Sequence, residues 1–508
     1  MPVKLQSLLR AGAVLLAALA LCWPAAVNRQ PFFHPDTLGY VRGPDVAVMK
    51  LLGPRFASSW ARLDPGAGVA AHEAGAAPVA GHGYDDKEVL GGRSIYYGVL
   101  ADLGARTGGF WLTVLVQALA VAWLTEIVLR SLGIASLRAY AAIIALLALA
   151  SPAAFFVCFL MPDIWAGAGI GALAALFALQ GRLRRLDIAV LGCVTVFAAL
   201  AHTSVTPVIG VMMAAGLGLG LAGRLRPALG LTVGVAAILA ALAGGFAFSA
   251  AVRHTVGAPP VTPPFLTARL VDDGTGARFA KSGCGGQAFV VCRYADRFPM
   301  DADHFLWGET DRDGVFQTVA PPVRRALGDE QTGFALAVVR AYPLEQARAS
   351  LGNIVHQIAD TDLSDFNYKP SLQRSFALTL PAGAQAAMRR TLAAAQAWPI
   401  VRLWAWQGAA MALLAIAMGV VALRAAPVEP AVTPANQILV LIVVDVLANG
   451  AVCGALSSVN GRYEGRVIWC LPLALAASLI LRVRGAERYF SRSSLSRSRG
   501  SVRRQAAR

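Results

Sequence analysis

A chain of 508 residues that is 56% hydrophobic and only 15% charged has too little polar surface for a soluble globular protein. With a mean hydropathy of +0.57, it reads as a polytopic membrane protein. The net charge of +16 would suit nucleic acid, but no basic fold with interleaved aromatic residues is visible, so no nucleic-acid partner is expected.

Mostly apolar runs long enough to cross the hydrocarbon recur near 7–27, 109–130, 138–158, 164–181, 187–202, 205–223, 228–251, 401–423, 436–457 and 467–481. They predict an all-α polytopic fold with about ten transmembrane helices. The fifth and sixth runs are short and separated only by "AHTS". The first run can be read as a cleaved signal peptide, but "CWPAAVNRQ" is a poor small-x-small cleavage site, and an uncleaved anchor is expected.

Basic residues set the orientation. Lys4, Arg10, Arg130, Arg138, Arg182, Arg184, Arg185, Arg224 and Arg226 fall on one side if there are ten spans, together with an Arg-rich tail at 483–508. Both termini are then cytoplasmic, and segments 28–108 and 253–399 are exported. The chain divides into a membrane domain at 1–252, a mostly helical exported subdomain at 253–399 between helices seven and eight, further membrane helices at 400–482, and the tail. The tail should attract anionic lipid, at about 1 kcal/mol per basic residue near the surface. The composition and charge bias suit a bacterial inner membrane with periplasmic loops.

The first exported segment opens with "NRQPFFHPDTLGYVRG", which places His34, Asp36 and Tyr40 just beyond the first helix. "DPGAGVAAHEAGAAPVAGHGYDD" reads as a loop. In "RSIYYGVLADLGAR", Ile95, Tyr96, Val99, Leu100 and Leu103 form an apolar stripe opposite Arg93, Ser94 and Asp102. This is either a helix lying in the membrane interface or an ordinary helix packed on the loop. Glu126 and Arg130 pair one helical turn apart and read as structural.

Asp163 sits in the tight turn "MPDIWAG", behind Pro162. It can cap the following helix, serve chemistry, or do both. Gly167 and Gly171 suit close helix packing. "LAHTSVTP" brings His202, Thr203 and Ser204 to the same rim. In the exported subdomain, Cys284 and Cys292 read as a disulfide, while the other five Cys lie in or beside apolar runs. No His/Cys spacing suggests a structural zinc site.

Asp445 and Asn449 lie mid-way along the ninth run, where an ionisable group is a functional candidate or a protonated packing contact. The last exported turn, "SSVNGRYEGRVIWCLP", concentrates Asn460, Arg462, Tyr463, Glu464 and Arg466. Its arginines suit phosphate, while Tyr463 and Trp469 would equally anchor the turn at headgroup depth.

In plan the chain resembles the GT-C superfamily of polytopic glycosyltransferases, which draw sugars from polyprenyl-phosphate carriers. "FFHPDTLGY", "RSIYYGVL", "MPDIWAG" and "NGRYEGRVIW" carry the resemblance. Many relatives have two adjacent acids in the first loop and a large C-terminal soluble domain, whereas this chain has Asp36 alone and its soluble mass inserted earlier. The resemblance implies that Asp36 is the general base in an inverting transfer, and that Asp163 positions the acceptor. If a divalent cation such as Mg or Mn takes part, Asp36 and Asp163 would hold it. Arg93, His202, Arg462 and Arg466 would contact the lipid-linked phosphate, and Tyr96 and Tyr97 the carrier, with His34, Tyr40 and Tyr463 also substrate-binding. The partners implied are a polyprenyl-phosphate-linked sugar and a lipid or glycan acceptor. A ligase- or polymerase-like polysaccharide-assembly protein, a transporter and a membrane scaffold are the competing readings.

Overall fold

The computed structural model describes residues 3–61, 88–308, 310, 312–424 and 434–483. The Gly/Ala/Pro-rich loop at 64–86 and the tail from 484 onward lie outside the described residues. Regular structure among the described residues is helical, with two isolated parallel bridges, Phe32 to Phe159 and Leu90 to Val261.

Five of the described helices are long and apolar enough to cross a membrane: Trp111–Ser131, Ala228–Val256, Ile400–Leu423, Pro434–Leu456 and Gly461–Val483. Leu8–Leu21, Leu137–Leu149, Asp163–Ala178 and Val205–Leu221 are shorter apolar helices. The chain is thus a helical, multi-pass membrane protein. Two of the expected runs are interrupted. The first ends at Leu21 and resumes as Trp23–Asn28, with Pro24 in the opening turn. The third stops at Leu149 and restarts as Ala153–Val157, after Pro152. A proline has no N–H to donate and clashes with the preceding turn, which sets both breaks.

The stretch read as the last turn is helical instead. Asn460 opens helix Gly461–Ile468, its side chain accepting from Arg462 N at 3.0 Å. Arg462 and Arg466 are therefore one turn apart and point from the same helix face.

Helix Asp163–Ala178 is the axis of the bundle and is buried along almost its whole length. It packs against Arg185–Ala201, Pro434–Leu456, Gly461–Ile468 and Trp111–Ser131. Gly167 permits one of the close approaches. A Cβ there would lie 2.5 Å from Trp469 Nε1 and 2.6 Å from Arg466 O. Helices Ala228–Val256 and Ile400–Leu423 are only 17% and 6% buried, so their Leu, Val and Phe side chains face outward toward lipid.

Segment 253–399 has two packing allegiances. Residues between Val261 and Val338 build a separate core, which includes Phe279, Phe305, Phe316 and Phe334 and the Cys284–Cys292 disulfide. Phe366 and Trp398 instead join the membrane core, in an aromatic cluster with Phe32, Phe155 and Phe159 at centroid distances of 5.0–5.9 Å. At the opposite end of the bundle, Arg10, Arg130, Glu126 and Asp187 tie three helices together through contacts of 2.7–3.1 Å.

Candidate functional site

The backbone gathers the two acidic segments before any side chain does so. Phe32 N donates to Cys158 O at 2.9 Å, and Leu160 N donates to Phe32 O at 3.0 Å. Thr37 Oγ1 donates to Leu160 O at 3.2 Å. Gln117 Nε2 supports the same turn through Val157 O at 2.7 Å and Phe159 O at 3.1 Å. Asn28 fixes the incoming chain, accepting from Ala393 N and Trp398 Nε1. Asp36, at the head of helix Thr37–Leu52, and Asp163, at the head of Asp163–Ala178, are thereby brought to the same end of the bundle, both near Arg462.

A chain of charged contacts then runs inward. Arg93 pairs with Asp36. His34 Nδ1 lies 3.8 Å from Asp36 Oδ2, and His34 Nε2 lies 2.8 Å from an Arg462 nitrogen. Arg462 Nε is 3.7 Å and Arg466 Nη1 is 3.6 Å from Asp163 Oδ1. Arg466 also donates to Ser204 Oγ at 2.7 Å and to Asn449 Oδ1 at 3.2 Å, and its Nη1 meets His202 Nε2 at 2.9 Å. Asn449 Nδ2 in turn donates to Glu464 at 3.0 Å. Side-chain exposure falls along this line, from 22% at Asp36 and 21% at Arg93 to 10% at Arg462, 1% at Asp163 and 0% at Arg466. The cluster is partly exposed at its mouth, around Asp36 and Arg93, and buried at its floor, around Asp163 and Arg466.

Arginine only donates, so both histidines accept at Nε2. A neutral ring accepts at one nitrogen alone. The charged Arg462 is a stronger donor than the Asp36 amide, which lies 3.2 Å from Nδ1. His34 therefore carries its proton on Nδ1, on the side of the Asp36 carboxylate. In His202, Nδ1 faces Ser204 Oγ at 2.9 Å.

Burial pushes the Asp36 carboxyl up, but the Arg93 guanidinium first, and Arg462 with it, outweigh burial and hold the group at about 2. Burial and then Arg462 drive His34 down to about 3, against a smaller opposing pull from Asp36. His34 is neutral and Asp36 ionised at any ordinary pH. Burial raises the Tyr40 and Tyr97 phenols, so neither is a base here.

Asp163 does not cap its helix. Pro162 is the cap residue, no side-chain cap bond forms, and both Asp163 carboxylate oxygens are buried without a hydrogen-bond partner. Arg462 Nε and Arg466 Nε are likewise buried and unpartnered.

Of the other residues singled out in the sequence, Tyr40 packs edge-on against Tyr97 at 5.1 Å, and Tyr97 donates from its hydroxyl to Gln117 at 3.2 Å. Tyr96 donates to Gly244 O at 3.0 Å, so its hydroxyl is held by the outward-facing helix Ala228–Val256. Tyr463 lies under both Arg462 and Arg466, at 5.2 and 5.1 Å. Asp445, on helix Pro434–Leu456, is buried with neither carboxylate oxygen hydrogen-bonded.

Three further contributors carried no local signal in the sequence. Trp307 stacks on Arg93 at 5.0 Å, and Cys453 lies 3.4 Å from Arg466. Asp365 has a carboxyl pushed up by burial and pulled back by Arg462. Segment 88–93 is itself pinned to the second core, since Gly91 N donates to Val261 O at 2.7 Å and Val261 N to Val89 O at 2.8 Å.

Among the described residues, no group of three or more His, Cys, Asp and Glu side chains is placed to hold a metal ion. Asp36 and Asp163 face arginines, whose charge opposes a divalent cation, so this donor set does not fit Mg or Mn. Three guanidiniums, of Arg93, Arg462 and Arg466, face Asp36 and Asp163, with Asp365 and Glu464 close by, and the arginines are the groups here that suit an anionic ligand. No protein-family model, curated protein or solved structure matches this chain.

Proposed function

We propose that this chain is an inverting glycosyltransferase of a bacterial inner membrane, moving a sugar from a polyprenyl-phosphate donor to a lipid or glycan acceptor on the periplasmic face. The observation that carries this reading is the convergence of Asp36 and Asp163, 127 positions apart, on one arginine-rich cluster with an open mouth. About ten spans with both termini cytoplasmic agree with the positions of the basic residues, and that topology places the mouth outside.

In the transfer, the acceptor hydroxyl passes its proton to Asp36 as its oxygen bonds the anomeric carbon. The bond from that carbon to the phosphate oxygen breaks, and the polyprenyl phosphate leaves with the electron pair. Arg93 is placed to meet the phosphate. As its guanidinium turns toward that charge, Asp36 loses the partner that now holds its carboxyl low and becomes a stronger base. No step uses a metal. A polar cleft of about 300 Å³ beside this region, with Asp272, Asp303, Asn353, His356 and Ser458 in its wall, suits a polyhydroxyl acceptor. Burial raises the Asp303 carboxyl, while Ser458 and Arg462 lower it.

The test is Asp36→Asn, assayed for transfer from a panel of polyprenyl-phosphate sugars, with expression and membrane insertion checked in parallel. Loss of transfer in an inserted protein supports the assignment, and retained transfer removes it. The tight Asp36–Arg93 pair favours one second reading, a ligase- or polymerase-like assembly protein that works through its Arg and His side chains. That protein would tolerate Asp36→Asn but not Arg462→Ala.

A further inference from the structure

We propose that the floor of the site, around Asp163, is a pocket that recognises a hydroxyl of the donor sugar, separate from the phosphate position at Arg93. This inference rests on the transferase reading and adds a division of labour within the same cluster. Arg462 Nε and Asp163 Oδ1 are 3.7 Å apart, beyond hydrogen-bond length, and neither makes a hydrogen bond, although Asp163 Oδ1 also faces Arg466 Nη1 at 3.6 Å. Asp163 Oδ2 and Arg466 Nε also lack a hydrogen bond, and so does Glu464 Oε1, which lies between the two arginines in the helix. Buried polar atoms are rarely left unsatisfied, so this concentration points to a missing ligand.

The chemistry of the gap selects the ligand. A phosphate oxygen only accepts, so it would serve the guanidiniums and be repelled by Asp163. A hydroxyl donates to the carboxylate and accepts from Nε at once. An oxygen lying off the line between the two atoms reaches both at about 2.8 Å. Arg93 presents the opposite case. It has one carboxylate partner and one face on Trp307, and it stands at the exposed mouth. The phosphate therefore sits outward and the sugar inward.

The experiment measures binding of two probes, undecaprenyl phosphate and undecaprenyl-phosphoryl hexose, to the full chain in lipid nanodiscs. Asp163→Asn should weaken the hexose-bearing probe at least tenfold and change the bare phosphate less than threefold. Arg462→Lys keeps the charge but removes the Nε donor, and should give the same selective loss if Asp163→Asn does not fold. Arg93→Gln should weaken both probes alike. Equal effects of Asp163→Asn on the two probes, or no effect on either because water alone fills the gap, would overturn the pocket. So would a wild-type protein that binds the two probes equally well, and that result leaves the transferase reading standing. Wild-type protein that binds neither probe sinks the transferase reading itself, and the pocket with it.

Discussion

Two clusters of charged side chains sit at opposite ends of the same helices. Helix Arg185–Ala201 has Asp187 in its first turn and His202 just past its end, about 22 Å apart at the rise of an α-helix. At the Asp187 end, Arg130 bridges Glu126 and Asp187, Arg10 adds a second partner for Glu126, and Asp187 also accepts from Arg184 N at 2.7 Å. No buried atom of those side chains lacks a partner. At the His202 end the charges are just as dense, yet carboxylate and guanidinium atoms around Asp163 are buried and unpartnered. The first cluster is closed in that its charges satisfy one another, around a cavity of only about 20 Å³, and it explains itself as a clamp. The second is organised for something besides the protein, and charge alone does not separate the two.

Asp36 separates the two clusters most sharply. Under the proposed function, Asp36→Asn should lower transfer by roughly 10²–10⁴-fold, the usual worth of a general base. The melting temperature should fall only modestly, because Arg93 keeps a neutral acceptor within reach and the lost Asp36 charge is partly exposed. The closed cluster should answer in the opposite way. Arg130→Ala leaves Glu126 with Arg10 alone and Asp187 without its arginine, and should cost about 3 kcal/mol of stability. Thermal melting of the detergent-solubilised protein reads that loss, while transfer per folded molecule should stay near wild type.

How much of this was legible in the sequence depends on distance along the chain. Glu126 and Arg130 are one turn apart, and their pairing follows from helix geometry. Arg10 and Asp187 complete the same clamp from remote segments, and no local pattern announces them. The outer cluster divides in the same way. Asp36, Asp163, Arg462 and Arg466 stand out because carboxylates and arginines at the ends of apolar runs are costly without a reason. Trp307 and Cys453 do not stand out, since an aromatic in a soluble segment and a cysteine in an apolar run have ordinary explanations. The helix start at Gly461 was obscured because Arg, Tyr and Glu dilute the apolar signal while Asn460 caps the turn. Prolines 24 and 152 were visible, but an apolar run looks continuous across them.

Gly167 sets how closely helix Gly461–Ile468 approaches helix Asp163–Ala178. Gly167→Ala would press a methyl group against the backbone of Arg466 and the ring of Trp469, so helix Gly461–Ile468 must shift outward. The expected cost is about 2 kcal/mol, the usual scale for overpacking. If the open cluster depends on the spacing of Arg466 and Asp163, transfer should fall further than the stability loss accounts for. A variant that melts lower but transfers normally would show that this spacing is not used.

Protonation gives the smallest effect and the finest distinction, because the closed cluster contains no histidine while the open one contains two. His34 is held at about 3 in the folded protein, against an ordinary value of 6.5, by burial and Arg462, with Arg93 adding to them and Asp36 opposing. The unfolded chain therefore takes up a proton that the folded chain refuses. This stability contribution is complete above about pH 6.5 and is lost as pH falls toward 3, by at most about 1.4 kcal/mol per unit. Asp36, held at about 2, loses its own contribution only below its ordinary value of 3.8. Melting temperature measured between pH 7.5 and 5 should fall in the wild type and fall less in His34→Gln. An unchanged slope in the variant would mean that the imidazole is not held neutral by Arg462, and the inward chain of contacts from Asp36 to Asp163 would lose its middle member.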